Sequence, residues 1–202
     1  MRKNSLLTLW VSLLFSASLT AQPQMGIGVK GGINFATQST TGSGEGVAVR
    51  QLLGYNAGVY GNLFLTDFLA FQTELMVSTR GSDWDDPYYN VKDLLTYIDL
   101  PLLLKYQPIK YANVHIGPQF GYLLAAKQED KDDGDITDIK DWYNTLDLGL
   151  VFGAEANLPF RINFTVRYVI GLVSASNDSE YTDPWRNNFL QLSLGYRIIG
   201  DK

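Results

Sequence analysis

The chain has 202 residues, with 16 Lys and Arg against 21 Asp and Glu for a formal net charge of −5, and it contains no cysteine. The mildly acidic balance without a basic block argues against a nucleic-acid partner. The missing thiols exclude disulfide staples, thiolate chemistry and lipid attachment at an N-terminal Cys.

The N-terminus reads as an export signal. Arg2 and Lys3 precede an apolar run from Leu6 to Leu19, and Thr20-Ala21 offers a small-residue cleavage point. The run is shorter than the roughly 20 residues of a spanning helix. The expected division is therefore a cleaved signal over residues 1–21 and one domain over 22–202, and no later segment is apolar enough for a transmembrane helix.

From Gln24 onward, apolar residues alternate with polar or small ones, the period of a strand with two different faces. The first segment, Gly26 to Ala36, sets Ile27, Val29, Ile33 and Phe35 against Gly28, Lys30, Gly32 and Asn34. The second, Leu53 to Leu65, carries Leu53, Tyr55, Ala57, Val59 and Leu63 on one side. The third, Phe68 to Arg80, opposes Leu69, Phe71, Leu75 and Val77 to Gln72, Glu74, Ser78 and Arg80. In the fourth, Leu94 to Tyr106, Ile98, Leu100, Leu102 and Leu104 face away from Tyr97, Asp99, Leu103 and Lys105. The fifth spans Asn113 to Ala125, with His115, Gln119 and Gly121 on its polar side. The sixth, Thr145 to Leu158, presents Asp147 and Glu155; the seventh, Phe160 to Leu172, presents Asn163, Thr165 and Arg167. The eighth, Phe189 to Ile199, presents Gln191, Ser193 and Arg197. Pro101 and Pro118 fall inside two of these strands and predict local bulges, since each deletes a ladder donor.

The connections alternate in length. Thr66-Asp67, Pro108 to Ala112 and Pro159 are tight, whereas 37–52, 81–93, 126–144 and 173–188 are long and polar. Short turns at one end and long loops at the other mark an up-and-down outer-membrane barrel with both termini on the short-turn side. The faces agree. In a soluble barrel the apolar face fills the interior, but here the apolar face is nearly free of charge while Gly, Asn, Gln, Ser and single charges occupy the other. Phe64, Phe68, Tyr106, Tyr111 and Phe160 lie by the short turns. Trp84, Tyr88, Tyr89, Trp142, Tyr143, Tyr181, Trp185 and Phe189 lie in or beside the long loops, as membrane-interface aromatics do. The fold expected is all-β: an eight-stranded antiparallel up-and-down transmembrane β-barrel. It must close on itself because hydrocarbon tolerates no unpaired sheet edge.

The lumen-facing ionic set is Lys30, Glu74, Arg80, Asp99, Lys105, Asp147, Glu155, Arg167 and Arg197. An interior just wide enough for side chains holds such charges only as a paired network, because desolvation costs several kcal/mol per ion. The competing reading is a gated solute path. His115, the single histidine, has Asn113 and Gly117 as its same-face strand neighbours, which supply neither nucleophile nor orienting acid. No catalytic residue is assigned. The acidic run from Glu129 to Asp138 fails the EF-hand spacing, with Gly134 where an oxygen ligand belongs and Lys140 in the place of the closing Glu. No metal site and no cofactor are expected.

Several blocks also resemble the PorT-like outer-membrane β-barrel proteins. They are Gly28-Val29-Lys30-Gly31-Gly32-Ile33-Asn34, Glu74-Leu75 with Ser78 to Gly81, and Tyr97-Ile98-Asp99-Leu100-Pro101-Leu102-Leu103-Leu104-Lys105-Tyr106. Gly117-Pro118 through Gly121-Tyr122-Leu123, Arg167-Tyr168 with Gly171-Leu172, and Leu194-Gly195-Tyr196-Arg197 complete the set. The resemblance implies an eight-stranded barrel in the outer membrane without known catalytic residues, and members of that family carry Pro at both proline positions. The ending Ile199-Gly200-Asp201-Lys202, in place of an aromatic residue, departs from the usual assembly signal.

Three functions remain in order. The first is a small non-enzymatic barrel whose external loops serve binding or the assembly of an envelope or secretion apparatus. Its partners would be outer-membrane lipid and other envelope or secretion proteins. The second is a narrow porin-like channel for small solutes, and the third an envelope lipid-modifying enzyme.

Overall fold

The computed structural model describes residues 24–39, 48–86, 89–177 and 185–200; the expected signal at 1–21 lies outside them. Eight strands form the wall: β1 (Gln24–Ser39), β3 (Leu52–Phe64), β4 (Leu69–Asp86), β5 (Tyr89–Ile109), β6 (Ala112–Asp130), β8 (Leu146–Asn157), β9 (Ile162–Gly171) and β10 (Arg186–Ile199). Two short strands, β2 (Ala48–Arg50) and β7 (Ile136–Asp138), add to the flanks of β4 and β6. Each wall strand pairs antiparallel with its neighbours in sequence, and β1 pairs with β10 from Ile27↔Ile199 to Ser39↔Arg186, so the ring is shut. This is the up-and-down antiparallel barrel that the alternating pattern implies.

The pleat sorts the side chains as the alternation requires. Along β9 exposure switches at every residue: Ile162, Phe164, Val166, Tyr168 and Ile170 look out, and Asn163, Thr165 and Arg167 look in. The outward band is apolar and the inward one polar, the arrangement of a membrane barrel. The short turns at residues 65–68, 110–111 and 158–161 share one end with the start of β1 and the end of β10. In outer-membrane barrels this end is periplasmic.

The strands depart from expectation at the other end. Residues 81–93 read as a loop, yet β4 continues to Asp86 and β5 begins at Tyr89. Likewise β6 runs on to Asp130. At 18, 21 and 19 residues these three strands far exceed the roughly 9–11 that cross a bilayer. They stand above the membrane as a blade with β2 on one flank and β7 on the other. Their outward positions there are Lys92, Asn90, Lys127 and Glu129, so the outward face turns polar while the inward one mixes Val91 and Ala126 with Asp93 and Gln128, and the period-two signal disappears.

Three further expectations are corrected. The bulges foreseen at Pro101 and Pro118 do not form. Pairing lapses between Pro101↔Gln119 and Leu104↔Ile116, and between Thr73↔Leu102 and Met76↔Asp99, with the register unchanged. The bulges of the β5–β6 ladder lie instead at Thr96/Tyr97 and Tyr106/Ile109. Phe160 is not a strand residue. It sits in a single turn with φ 63°, followed by Arg161 at φ 64°, and its ring is exposed beyond the barrel rim. Of the loop-side aromatics, Tyr143 and Phe189 are buried rather than interfacial; Tyr88 and Tyr181 lie outside the described residues.

Candidate functional site: a stratified lumen beneath an external blade

The lumen is filled in layers, and inward positions along one strand give their order. On β5 they run Lys105, Leu103, Pro101, Asp99, Tyr97, Leu95 and Asp93 from the periplasmic end upward. On β8 they run Glu155, Gly153, Val151, Gly149 and Asp147.

The lower layer is a five-membered ionic cluster. Arg167 on β9 grips Glu74 on β4 with both terminal nitrogens, each at 2.8 Å. Lys30 on β1 lies 3.1 Å from Glu74 and 3.5 Å from Glu155 on β8, and Lys105 on β5 lies 2.6 Å from Glu155. Neutral groups complete the coordination. Asn113 and Thr165 donate to Glu155 at 3.2 and 3.1 Å, Lys105 donates to Gln72 at 2.8 Å, and Gln72 donates to Glu74. Buried carboxylates are tolerable only with such saturation, since an ion that loses its partner inside a protein costs several kcal/mol.

Above it lies an apolar belt of Ala36, Leu103, Val151, Val169 and Phe189, none more than 2 % exposed. Over the belt, Arg80 on β4 holds Asp99 at 3.1 Å and Asp147 at 2.8 Å, and Ser78 donates to Asp99. The Arg80 guanidinium stacks 3.8 Å from the Tyr97 ring and 5.2 Å from that of Phe189. Gly121 makes the room: a Cβ there would meet Arg80 Nη2 at 2.7 Å. A second apolar layer of Leu95, Tyr97, Leu123, Ala126, Ile139, Tyr143 and Ala175 lies toward the extracellular end.

Eight of the nine ionic residues singled out by alternation therefore fall into two clusters, five below the belt and three above. Arg197 joins neither; it is half-buried near the periplasmic end, against Tyr60. His115 is 4 % exposed, its Nδ1 3.4 Å from Asn113 Oδ1 and its Nε2 turned toward Gly153, whose missing side chain leaves space for the ring. The imidazole is thus packed against the lower layer, level with Lys105 and Gly153 on the flanking strands. The acidic run forms the tip of the β6–β7 hairpin. Asp130 Oδ1 accepts from the Asp132 amide at 2.9 Å, and Gly134 turns the chain at φ 75°. Among the described residues no three metal-binding side chains converge.

Sequence reading passed over Asp93, which it placed in a loop. Its carboxylate is buried and accepts from Gln128 at 2.9 Å, Tyr143 at 3.1 Å and Trp84 at 3.2 Å, tying the blade to the mouth. Burial first, and the adjacent carboxylate second, push the Tyr143 phenol well above its ordinary range, so it remains a donor. Parity held the signal, because Asp93 lies an even number of residues from Asp99. Trp84 also packs 5.4 Å from Trp185, joining β4 to the start of β10 across the rim.

This shut cylinder, greasy outside and ionic within, is matched over residues 20–177 by the family model described as outer membrane protein beta-barrel domain. The chain belongs to that family. It is accordingly an outer-membrane β-barrel protein. Comparison with curated proteins gives no match. Among solved structures, Ail, the attachment invasion locus protein of Yersinia pestis, is 12% identical with a TM-score of 0.50, over 88% of this chain and 100% of Ail. Ail in complex with the heparin analogue sucrose octasulfate is 13% identical with a TM-score of 0.50, over 87% and 99%. Neisserial surface protein A is 11% identical with a TM-score of 0.52, over 84% and 96%. At such identities the likeness is one of fold.

Proposed function

We propose that this protein is a non-enzymatic barrel that acts through the parts standing above the membrane, binding a partner or anchoring an envelope assembly, while its bore stays shut. The belt of Leu103, Val151, Val169, Phe189 and Ala36 carries this reading. Beside it Asn34, Asn56, Gln191 and Ser193 are buried and hydrogen-bonded to one another, so packed side chains fill the bore and a solute has to displace them to pass. A channel needs the belt to part, and enzymatic work needs access to the buried His115; neither reading gains support from the packing. The blade favours an external role because three wall strands extend well past the bilayer and are braced by Asp93 and the Trp84–Trp185 contact. Ail, named for attachment and invasion, lends the mode of action and not the ligand. From Lys127 to Asp141 this chain carries seven acids and three lysines, the wrong sign for a sulfated glycan. The reading includes kinship with the PorT-like branch and export behind a signal cleaved after Ala21.

Single-channel recording on the refolded mature barrel in planar bilayers tests the shut bore. Silence is expected, and steady currents that respond to Lys105→Ala or Glu74→Ala would establish the pore instead. Cross-linking from the blade in intact envelopes, followed by identification of the captured protein, tests the external role. Equal capture by a variant with residues 127–141 replaced by a short Gly-Ser turn would defeat it.

A further inference from the structure

The lipid-facing wall is not uniform. On β8, two successive outward positions carry only Ala154 and Ala156, where the facing rungs carry larger groups: Val114 opposite Ala154 on β6, and Val166 and Phe164 opposite them on β9. With Pro108 and Ile109 from the end of β5 and Ala112 from the start of β6, these residues form an apolar groove of about 350 Å³. Along β8 the next outward residue above Ala154 is Phe152, a large exposed ring where the two rungs below carry only methyl groups. Its lower end meets the turn between β5 and β6, where Lys110 and Tyr111 are exposed.

We propose that this groove is a binding site for a glycerophospholipid of the periplasmic leaflet, with one acyl chain on the Ala154–Ala156 floor and the phosphate at Lys110. Three observations choose this occupant. The groove lies at the short-turn end of an outer-membrane barrel, at the depth of periplasmic-leaflet chains. Asn113 and Glu155 also border it, but their side chains are buried in the lumen and the exposed lining is hydrocarbon, so burying methylenes there is favourable without a polar partner. The exposed Lys110 sits in the turn between the lining residues Ile109 and Ala112, so a cation stands at the end of the groove where the head of a lipid would lie.

The refolded barrel in detergent, titrated with palmitoyl-oleoyl phosphatidylglycerol and read by native mass spectrometry, should retain one lipid per barrel. Ala154→Leu with Ala156→Leu fills the floor and faces lipid, so the barrel should keep its heat-modifiable gel mobility. Retention should fall about tenfold, the weight of two methylenes withdrawn from contact. Lys110→Ala should lower retention about fivefold, the effect of one cation at a charged surface. Retention unchanged in the filled variant would overturn the site, and retention unchanged in Lys110→Ala would overturn the phosphate assignment. A two-barrel species that the filled variant alone abolishes would also overturn it, by showing a second copy on the groove. Misfolding of the double variant moves the same measurement to Ala154→Val, where a smaller loss is expected and no loss is fatal.

Discussion

The two ionic layers of the lumen both pair cations with carboxylates yet hold the barrel differently. Below the belt, Lys30, Lys105 and Arg167 surround Glu74 and Glu155, and the five come from five strands, so the cluster ties together much of the circumference. Above it, Arg80 meets Asp99 and Asp147 from three strands only. The neighbouring Asp93 is held by neutral donors alone among its hydrogen bonds. The lower half behaves as a rivet and the upper half as a seat for the blade. Charge placed below the belt stabilises the closed wall, while charge above it positions what projects from the mouth.

The sharpest way to break this contrast is Glu74→Ala. It strands Arg167 and crowds Lys30 and Lys105 onto Glu155, and should cost about 4 kcal/mol in urea unfolding from lipid vesicles. A loss below about 1 kcal/mol would mean the lower layer is not a rivet. Leu103→Ala opens the belt and should cost about 3 kcal/mol by the same measurement. Arg80→Met, which keeps the apolar contact with Tyr97 and Phe189 but strands two buried carboxylates, should cost about 3 kcal/mol. It should also quicken proteolysis of the blade more than Glu74→Ala does at matched stability. At the rim, Lys131→Ala removes the partly exposed bridge to Asp83 and should change stability by no more than about 1 kcal/mol, with the difference vanishing in high salt. A larger effect would show the blade to be part of the stabilising core.

The wall was legible because lipid on one side and a polar bore on the other impose strict alternation, so β9 could be read residue by residue. Legibility failed where that contrast ends. Beyond the membrane Lys92 and Lys127 make the outward face polar too, and strand extensions look like loops. Parity also gives facing but not height. That Arg167 and Arg80 point inward follows from their positions, but that Glu74 takes Arg167 while Arg197 stands apart depends on the stagger between strands distant in sequence. Gln72 and Asn113 passed for neutral filler, though they complete the coordination of buried ions. The turn at Phe160 rests on two consecutive residues with positive φ, which no local pattern announces.

The length of β6 and its hairpin bears on how the molecule reaches its place. Ten formal charges lie between Lys127 and Asp141, all of them on the far side of the bilayer from where a periplasmic chain arrives. Dragging that tip through hydrocarbon unaided would raise a barrier on the order of 20 kcal/mol. Passage of the tip is therefore the slow step of insertion, and thinner or more defective bilayers should admit this barrel faster than thick, well-packed ones.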